Sequence, residues 1–441
     1  MRWQNPADVS IEGYSMNKQK IVVISIDAMI TSDLKVLKAM PECQDFFRHT
    51  AQVNEMLCVL PALTYPCHVT MLTGCYPGRH GVYHNEQFRP AEAHPDWYWY
   101  SNYTKTPSIF TYAKRRGLTT ASVAWPSTSG NPDVDYLVSK IWTPEAEDED
   151  SVNSPAVKEI YHRHKHLIEG HRTEDLDQFS LECTCDIIRT FKPDLLCTYY
   201  ALIDSVRHKQ GYETERHEQS LRKIGLKLAA LRDACEQAGV LEDTTFVLMA
   251  DHGQINTKAV FNLNVELAKR GYITLDDEGL VTDWRIFSHS CAFSAQIYCK
   301  DIPESEARRV LQEIANQYPG YLDRILNTFE CDATYHITGP FSFMVEGPQG
   351  IAFGKECTGN VVSPVLQGDY KTAQATHGHS PERGPKPPFL ICGPLANRGM
   401  ILSEARLVDA APTILALCGI EMPSADGIPL NQLIHKGDQK Q

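Results

Sequence analysis

The sequence lacks a long apolar run. None of its 441 residues belongs to a stretch that approaches the roughly 18 consecutive apolar residues needed by a membrane-spanning helix. Residues 1–20 are polar and lack the apolar core of a secretory signal. These two absences predict a cytoplasmic chain without a membrane partner.

Positive charge and closely paired cysteines are also scarce. Lys and Arg number 42 against 55 Asp and Glu, so the formal net charge is -13, which argues against a surface for a nucleic acid duplex. A small phosphorylated substrate stays compatible with this charge, because bound metal ions set the charge of a pocket locally. The 14 cysteines include no CxxC pair, and in the cytoplasm they are expected to stay reduced.

Strand-like and helix-like segments alternate along most of the chain. The first strong segment, Ile21–Ile26, is an unbroken β-branched run typical of a central strand covered by helices on both faces. The other strand-like runs are Ala121–Ala124, Asp194–Leu202, Thr245–Ala250 and Pro388–Cys392, and the helix-like segments are Ile109–Arg116, Asp175–Thr190, Glu213–Ala238 and Val408–Cys418. This alternation predicts an α/β fold with a doubly wound, mostly parallel sheet.

The middle of the chain departs from that alternation. Strand-like Ala295–Tyr298, helix-like Glu304–Gln317 and strand-like Phe341–Glu346 form a β-α-β module, which we interpret as an inserted α+β cap subdomain. The expected organisation is a polar tail over 1–20, a first core segment over 21–254, the insertion over 255–376 and a second core segment over 377–441.

Acidic and histidine side chains follow the predicted strands at the points where these end. They are Asp27, Asp204, His208, Asp251, His252 and His377. In open α/β sheets the ligand binds beyond the carboxyl ends of the strands. Each residue alone is more often a turn former or a helix cap. Together, their oxygen and imidazole donors suit Zn²⁺ best, with Mn²⁺ or Fe as alternatives.

A threonine provides the candidate nucleophile. Thr64 lies two residues before Pro66, which suits the first position of a helix because proline has no N–H to leave unpaired. Thr64 would then stand just ahead of a helix N-terminus, where a phosphate is favoured. A bound divalent ion would lower the pKa of its hydroxyl group. The alternative is that Thr64 only caps the helix.

Short motifs occur in a defined order along the chain. They are Ile24-Ser-Ile-Asp27, Thr64-Tyr-Pro66, Thr73-Gly-Cys-Tyr-Pro-Gly-Arg-His-Gly81, Asp204-Ser-Val-Arg-His208, Ala250-Asp-His-Gly253, Thr376-His-Gly378, Asp409-Ala-Ala-Pro-Thr-Ile-Leu415 and Ala425-Asp-Gly427. In this order they resemble the alkaline phosphatase superfamily and, within it, the type I phosphodiesterase/nucleotide pyrophosphatase family. The resemblance runs from about Ile21 to Leu430 and is weakest in the predicted insertion. It implies an alkaline-phosphatase-like core.

The resemblance also implies two zinc sites. The first would consist of Asp204, His208 and His377, and the second of Asp27, Asp251 and His252 together with Thr64, which is also the nucleophile. The adjacent His379 is an alternative to His377, but the family pattern favours the histidine directly after the threonine.

Two further positions match residues that contact substrate in the family. Asn85 matches the asparagine that hydrogen-bonds a phosphoryl oxygen, and its neutral amide suits the single charge of a phosphodiester. Tyr65 matches an aromatic residue that lines the substrate pocket, although core packing is an alternative role for it. Ala28 and Cys67 depart from the family's usual glycine and asparagine, which leaves the substrate open.

The resemblance predicts hydrolysis of phosphodiester or pyrophosphate bonds through a covalent phosphothreonine. Nucleotide-like substrates are expected, with the aromatic segment Trp97–Tyr100 as a stacking surface or as simple packing.

A phosphonoacetate-type phosphonate hydrolase is an alternative and would need a lysine such as Lys105 near the substrate. A phosphomonoesterase would need an arginine, but Arg79 is expected to be structural. A binding module has no need of the nucleophile and the full ligand set. The oligomeric state stays open, with a homodimer among the alternatives.

Overall fold

The computed structural model describes residues 19–92, 95–140, 152–170, 172–212, 214–365 and 368–435. Most of the predicted polar tail, 1–20, lies outside these ranges, as does the predicted start of one helix at position 213. None of the helices in these ranges is long and apolar enough to cross a membrane.

Nineteen strands are present in the described residues. They are β1 (Lys20–Ile26), β2 (Thr50–Leu57), β3 (Thr120–Val123), β4 (Tyr136–Val138), β5 (Leu195–Tyr200), β6 (Thr244–Met249), β7 (Ile255–Asn256), β8 (Ala259–Phe261), β9 (Ile273–Leu275), β10 (Val281–Trp284), β11 (Ile286–Ser290), β12 (Ser294–Cys299), β13 (Arg324–Asn327), β14 (Phe343–Glu346), β15 (Ile351–Phe353), β16 (Val362–Ser363), β17 (Ala375–Thr376), β18 (Phe389–Cys392) and β19 (Ile401–Arg406).

Twelve α-helices lie within the same described ranges. They are α1 (Leu34–Ala39), α2 (Thr64–Thr73), α3 (Pro77–His80), α4 (Ile109–Arg115), α5 (Lys158–His164), α6 (Thr173–Phe191), α7 (Leu202–Gln210), α8 (Glu215–Gln237), α9 (Leu263–Lys269), α10 (Glu304–Gln317), α11 (Thr328–Tyr335) and α12 (Ala410–Leu417).

A mostly parallel sheet forms the centre of the fold. Its eight strands are ordered β19-β2-β18-β6-β1-β5-β3-β4. Neighbouring strands are parallel except at β18, which is antiparallel to both β2 and β6. The predicted α/β fold with a mostly parallel sheet is confirmed.

Two apolar clusters cover the two faces of this sheet. Side chains of β1 alternate between them: Val22 and Ile24 belong to one cluster, and Ile21 and Val23 belong to the other. Helices α6 and α8 contribute to the first cluster, and α4 and α12 contribute to the second. Burial on both faces explains why β1 reads as an unbroken apolar run rather than an alternating one.

Residues 255–376 contain smaller sheets. One is antiparallel with four strands in the order β11-β12-β14-β13, and another has three strands in the order β15-β8-β16. An apolar cluster that includes side chains of α9 and α10 accompanies them. The two ends of the segment are adjacent, because β7 pairs antiparallel with β17. Helix α10 has the predicted bounds, whereas the division of the chain into domains stays a prediction.

Several local predictions differ from the structure. Strands β2 and β19 were not predicted, because β2 alternates buried and partly exposed residues and β19 is largely exposed, so neither forms a continuous apolar run. The predicted strand Asp194–Leu202 is shorter, since Leu202 already begins α7. Helix α2 begins at Thr64 rather than at Pro66, so Thr64 is its first residue.

Candidate active site

The predicted site residues converge at one edge of the central sheet. Strands β6, β1 and β5 are adjacent and parallel, so their carboxyl ends meet there. Asp27 directly follows β1, Asp204 lies in the first turn of α7 after β5, and Asp251 and His252 follow β6. His377 follows β17 and reaches the same edge from the second part of the chain. His208 lies on α7 with Asp204, so the structure brings the six predicted Asp and His ligands together.

The first group of donors consists of Asp204, His208 and His377. Their ligand atoms all lie within 4.8 Å of one another. His208 Nε2 is 3.1 Å from Asp204 Oδ1, and His377 Nε2 is 3.8 Å from the same oxygen. Asp204 and His208 are four residues apart on α7, which places both on one face of the helix.

Backbone carbonyl groups orient the two imidazoles of this group. His208 Nδ1 donates to the carbonyl oxygen of Ala375 at 2.7 Å, and His377 Nδ1 donates to that of Ala62 at 2.9 Å. Each ring therefore carries its proton on Nδ1 and presents Nε2 to the site, as metal-binding histidines do. His379 instead directs its Nδ1 to the carbonyl oxygen of Ser380 at 3.0 Å and is not part of the group.

The second group surrounds Thr64. Asp27, Asp204 and His252 have ligand atoms within 4.8 Å of one another, so Asp204 belongs to both groups, whereas the motif pattern assigns it to the first alone. His252 Nε2 lies 3.2 Å from Asp251 Oδ2 and 3.7 Å from Asp27 Oδ1. Thr64 Oγ1 is 3.4 Å from the same nitrogen. The Thr64 hydroxyl thus faces the acidic group rather than capping α2.

The electrostatics of this edge are those of a site that needs cations. Burial, reinforced by the Asp251 and Asp204 carboxylates, raises the pKa of Asp27 well above its usual value. Burial likewise raises the pKa of Asp251 to about 7. Burial works against charge on Asp204 too, but the adjacent His208 and His377 lower its pKa below the ordinary value. Three acidic groups therefore crowd one buried region.

Buried carboxylate oxygens without hydrogen bonds indicate where cations would bind. Asp27 Oδ1 and Asp251 Oδ2 are buried and have no hydrogen bond to any residue in the described ranges. Burial and neighbouring histidines lower the pKa of His252 and His377, so both rings are neutral and suited to bind a metal. Carboxylate oxygens and imidazole nitrogens in this arrangement fit divalent cations. Because removal from water makes unpaired carboxylates unfavourable, bound cations would stabilise the site.

Asn85 is held against the start of α2. Its Oδ1 accepts the backbone N–H of Tyr65 at 2.9 Å, which fixes the orientation of the amide group. The predicted phosphoryl contact is thus placed next to Thr64, at the wall of a cleft of about 2060 Å³ that Thr64 and Asp204 also line.

Tyr65 belongs to an aromatic cluster at the same wall. Its ring packs edge-on against Trp97 at 5.4 Å and Trp99 at 5.7 Å between centroids. Tyr65, Trp97, Trp99 and Tyr100 all line the cleft, although Tyr65 itself is fully buried. Tyr65 therefore packs in the core and also forms part of the cleft wall.

Lys140 and Tyr370 line the cleft, although they were not singled out from the sequence. The Lys140 ammonium lies 3.9 Å from the centroid of the Tyr199 ring, and the Tyr199 hydroxyl donates to Asp27. Tyr370 places its hydroxyl oxygen 3.4 Å from Asn85 Nδ2. Neither residue lies in a motif or at the end of a predicted strand, so no local signal marks them.

The two other basic residues considered from the sequence lie elsewhere. The side chain of Lys105 covers Gly81, where an added Cβ would come within 2.8 Å of Lys105 Cε. Arg79 binds Asp426, which is the structural role expected for it. Neither is among the described residues that line the cleft.

The sheet, its strand-end carboxylates and histidines, and the hydroxyl between them define an alkaline-phosphatase-like α/β protein with a candidate metal centre. The sequence model of the family described as type I phosphodiesterase/nucleotide pyrophosphatase matches residues 21–342. The chain belongs to this family, and the resemblance seen in its motifs is confirmed.

Individual relatives are distant. An uncharacterized pyrophosphatase/phosphodiesterase of Schizosaccharomyces pombe is 22% identical over 321 residues, covering 66% of this chain and 60% of the relative. The ectonucleotide pyrophosphatase/phosphodiesterase family member 7 of Mus musculus is 22% identical over 248 residues, covering 54% of this chain and 50% of that protein. The chain thus matches only about half to three fifths of the length of these curated relatives.

Solved structures share the fold. Murine ectonucleotide pyrophosphatase/phosphodiesterase 5, solved as an inactive variant in complex with AMP, superposes with a TM-score of 0.68 at 17% identity. The match covers 95% of this chain and 100% of that one. The human counterpart gives a TM-score of 0.67 with the same identity and coverage.

Proposed function

We propose that this chain hydrolyses phosphodiester or pyrophosphate bonds of nucleotide-like substrates, with Thr64 as the nucleophile. The observation that carries the proposal is the position of the Thr64 hydroxyl. It stands at the first residue of α2, 3.4 Å from His252 Nε2, beside two groups of carboxylate and imidazole donors.

The first group would hold one divalent cation through Asp204, His208 and His377. The second would hold another through Asp27, Asp251 and His252, with Thr64 adjacent. When bound, such cations lower the pKa of a coordinated hydroxyl and stabilise negative charge on a leaving oxygen. Zinc fits the mixed oxygen and nitrogen donors best, and manganese or iron are the alternatives.

The chain's own residues account for the remaining steps. Thr64 Oγ1 attacks phosphorus, and the bond to the leaving oxygen breaks as a covalent phosphothreonine forms. Water then attacks phosphorus and restores the threonine, so one water is added across the original bond. The Asn85 amide, oriented by the Tyr65 N–H, donates to a phosphoryl oxygen throughout. The positive end of the helix dipole at the start of α2 favours the same anion.

The aromatic wall supports a nucleotide-like substrate. Trp97 and Trp99 stack nearly parallel, with centroids 5.6 Å apart and an angle of 16° between their planes. Both rings border the cleft near Asn85 and Thr64. A structural neighbour was solved with AMP, which is consistent with a base or sugar binding in this cleft.

Hydrolysis of a substrate series tests this proposal. The series consists of bis-p-nitrophenyl phosphate, p-nitrophenyl phosphate, a nucleotide p-nitrophenyl ester and phosphonoacetate, each supplied to the zinc-loaded protein. The diesters are expected to give the highest kcat/KM, with the nucleotide ester ahead, because Asn85 is a neutral donor and the wall is aromatic. A higher kcat/KM for the monoester would contradict the diester assignment.

One observation favours a second candidate, a phosphonate hydrolase. The Lys140 ammonium lines the cleft near Thr64 and has no hydrogen bond or ion pair with a described residue. A cation in that position would suit the carboxylate of phosphonoacetate, and it replaces Lys105, which the sequence had suggested.

Replacing Lys140 with methionine distinguishes the two candidates. The change is expected to weaken the binding of phosphonoacetate by roughly tenfold or more, because a charge-assisted contact is lost. This weakening is measured as an increase in KM if phosphonoacetate is a substrate, or in its inhibition constant if it is a competitive inhibitor. Hydrolysis of bis-p-nitrophenyl phosphate should change little, since that diester has no second anionic group. Lys105→Met is the matched control and should alter neither substrate. An equal loss with both substrates in Lys140→Met would show that Lys140 has no role specific to a second anion.

A further inference from the structure

A tyrosine hydroxyl lies beside the proposed phosphoryl contact. Tyr370 begins a short 3-10 turn, Tyr370–Thr372, close in sequence to β17. Its hydroxyl oxygen is 3.4 Å from Asn85 Nδ2, and Tyr370 lines the same cleft as Asn85 and Thr64. The strands and motifs that bring the metal ligands together do not involve this residue.

The direction of this hydrogen bond follows from the Asn85 amide. Because Asn85 Oδ1 accepts the Tyr65 N–H, Nδ2 is the atom that faces Tyr370. The amide therefore donates, and the tyrosine oxygen accepts. The O–H of Tyr370 is left to donate, and no described residue accepts it. A hydroxyl that already accepts a hydrogen bond is also the stronger donor.

Ring contacts hold Tyr370 between the first donor group and the aromatic wall. Its ring lies 5.8 Å from that of His377 at an interplanar angle of 19°, and 5.8 Å from that of His208 at 67°. On the other side, the ring of Trp97 is 5.7 Å away. Tyr370 thereby contacts the histidines of the first donor group through its ring and Asn85 through its hydroxyl.

An ion pair between the residues that follow Tyr370 and Asn85 links the two segments that carry them. Lys371 Nζ pairs with Glu86 Oε2 at 2.6 Å, and this pair is largely buried. Asp369 accepts the backbone N–H of Lys371 at 3.0 Å. Contacts at two consecutive positions, 85 with 370 and 86 with 371, restrain the hydroxyl before substrate binds, which is the condition for effective electrostatic stabilisation.

The cluster of His84, Glu86 and His289 helps to hold the segments of Asn85 and Tyr370 together and does not form a third metal site. His84 Nδ1 accepts the backbone N–H of Glu86 at 2.9 Å, and its Nε2 donates to the carbonyl oxygen of Ser290 at 3.0 Å. Both nitrogens of His84 are engaged, and the Glu86 carboxylate is neutralised by Lys371.

We infer that Tyr370 is a second neutral hydrogen-bond donor to the phosphoryl group, and this inference rests on the proposed function. Tyr370 donates its O–H to a non-bridging oxygen adjacent to the one bound by Asn85. Charge on these oxygens is stabilised as Thr64 attacks. Two neutral donors suit the single charge of a diester, whereas a dianionic monoester favours a cationic donor. Tyr370 is thus a determinant of diester specificity.

The variant Tyr370→Phe tests the inference, because it keeps the ring and removes only the hydroxyl. We expect kcat for bis-p-nitrophenyl phosphate to fall by roughly 100-fold, the usual effect of removing one such donor. Tyr103→Phe is the matched control. Its hydroxyl also accepts an amide hydrogen bond, from Gln87 Nε2 at 2.7 Å, but it is outside the described cleft lining. That control should keep the wild-type kcat.

Stereospecific sulfur substitution separates a donor from a structural role. The two diastereomers of a nucleoside phosphorothioate p-nitrophenyl ester place sulfur, a poor hydrogen-bond acceptor, at one or the other non-bridging position. Tyr370→Phe is expected to reduce the rate penalty for sulfur, relative to oxygen, in the diastereomer that places sulfur at the Tyr370 position, and to leave the penalty for the other diastereomer unchanged, so that the ratio of the two rates shifts. The same change in a Thr64→Ala background should weaken binding of bis-p-nitrophenyl phosphate, measured by calorimetry.

An unchanged diastereomer ratio in Tyr370→Phe would overturn the inference, even if kcat fell, because the loss would then be structural. An unchanged kcat would overturn it as well. The proposed function fails by a different result, namely the absence of diester hydrolysis by the wild-type protein.

Discussion

Thr64→Ala is expected to lose nearly all hydrolysis of phosphodiesters while still binding metal. The change removes the hydroxyl together with the γ-methyl group, and the carboxylate and imidazole donors around them stay in place. Removal of a nucleophile in other enzymes lowers kcat by roughly four to six orders of magnitude. The measurements are kcat for the best diester and metal content by elemental analysis.

Two controls make the Thr64 result specific. Thr73→Ala removes a hydroxyl from the same helix, one that donates to the carbonyl oxygen of Val69 at 2.7 Å, and it should keep its turnover. Thr64→Ser restores a hydroxyl and should recover part of the activity. Mass spectrometry of wild-type protein rapidly quenched during turnover of bis-p-nitrophenyl phosphate should detect a p-nitrophenyl phosphoryl group on Thr64, because only one of the two ester groups has left. Turnover close to wild type in Thr64→Ala would show that the nucleophile assignment is wrong.

Removal of bound metal by a chelator is expected to abolish activity, and the contribution of the buried Asp251 to stability is then expected to fall as the pH rises. In the metal-free protein the pKa of Asp251 is about 7, above the roughly 3.9 of an unfolded aspartate. The folded state then binds its proton more tightly than the unfolded state does. The stabilisation is fully present below about pH 4 and is lost as the pH rises towards 7. The raised pKa of Asp27 acts in the same direction.

The melting temperature with and without chelator, at about pH 5 and about pH 8, measures this effect. Metal should raise the melting temperature more at the higher pH, because it pairs with carboxylates that are otherwise buried and charged. In the metal-free protein, Asp251→Asn should shift the change in melting temperature between the two pH values in favour of the higher pH, relative to the wild type. An equal effect of metal at both pH values would contradict the electrostatic account of the site.

The sequence alone determined the central strands of the sheet, β1, β5 and β6, and the set of metal-ligand candidates. Unbroken β-branched runs such as Ile21–Ile26 occur where a strand is buried on both faces, and such strands lie parallel with their carboxyl ends at one edge. Residues that follow these runs must therefore meet, which is why Asp27, Asp204 and Asp251 were found without coordinates. Hydrophobic runs along the chain are sufficient to find these residues, because adjacent parallel strands have their carboxyl ends at the same edge of the sheet.

Only the tertiary structure decided which side chains complete the cleft. Asn85 and Tyr370 are 285 residues apart and meet because the 3-10 turn at Tyr370 packs against the segment that follows α3. Lys140, two residues beyond the end of β4, reaches the rings of Tyr65 and Tyr199. The start of α2 at Thr64 and the edge strand β19 were likewise visible only in three dimensions. Local patterns report burial and backbone preference, whereas contacts between distant loops depend on how the whole chain packs.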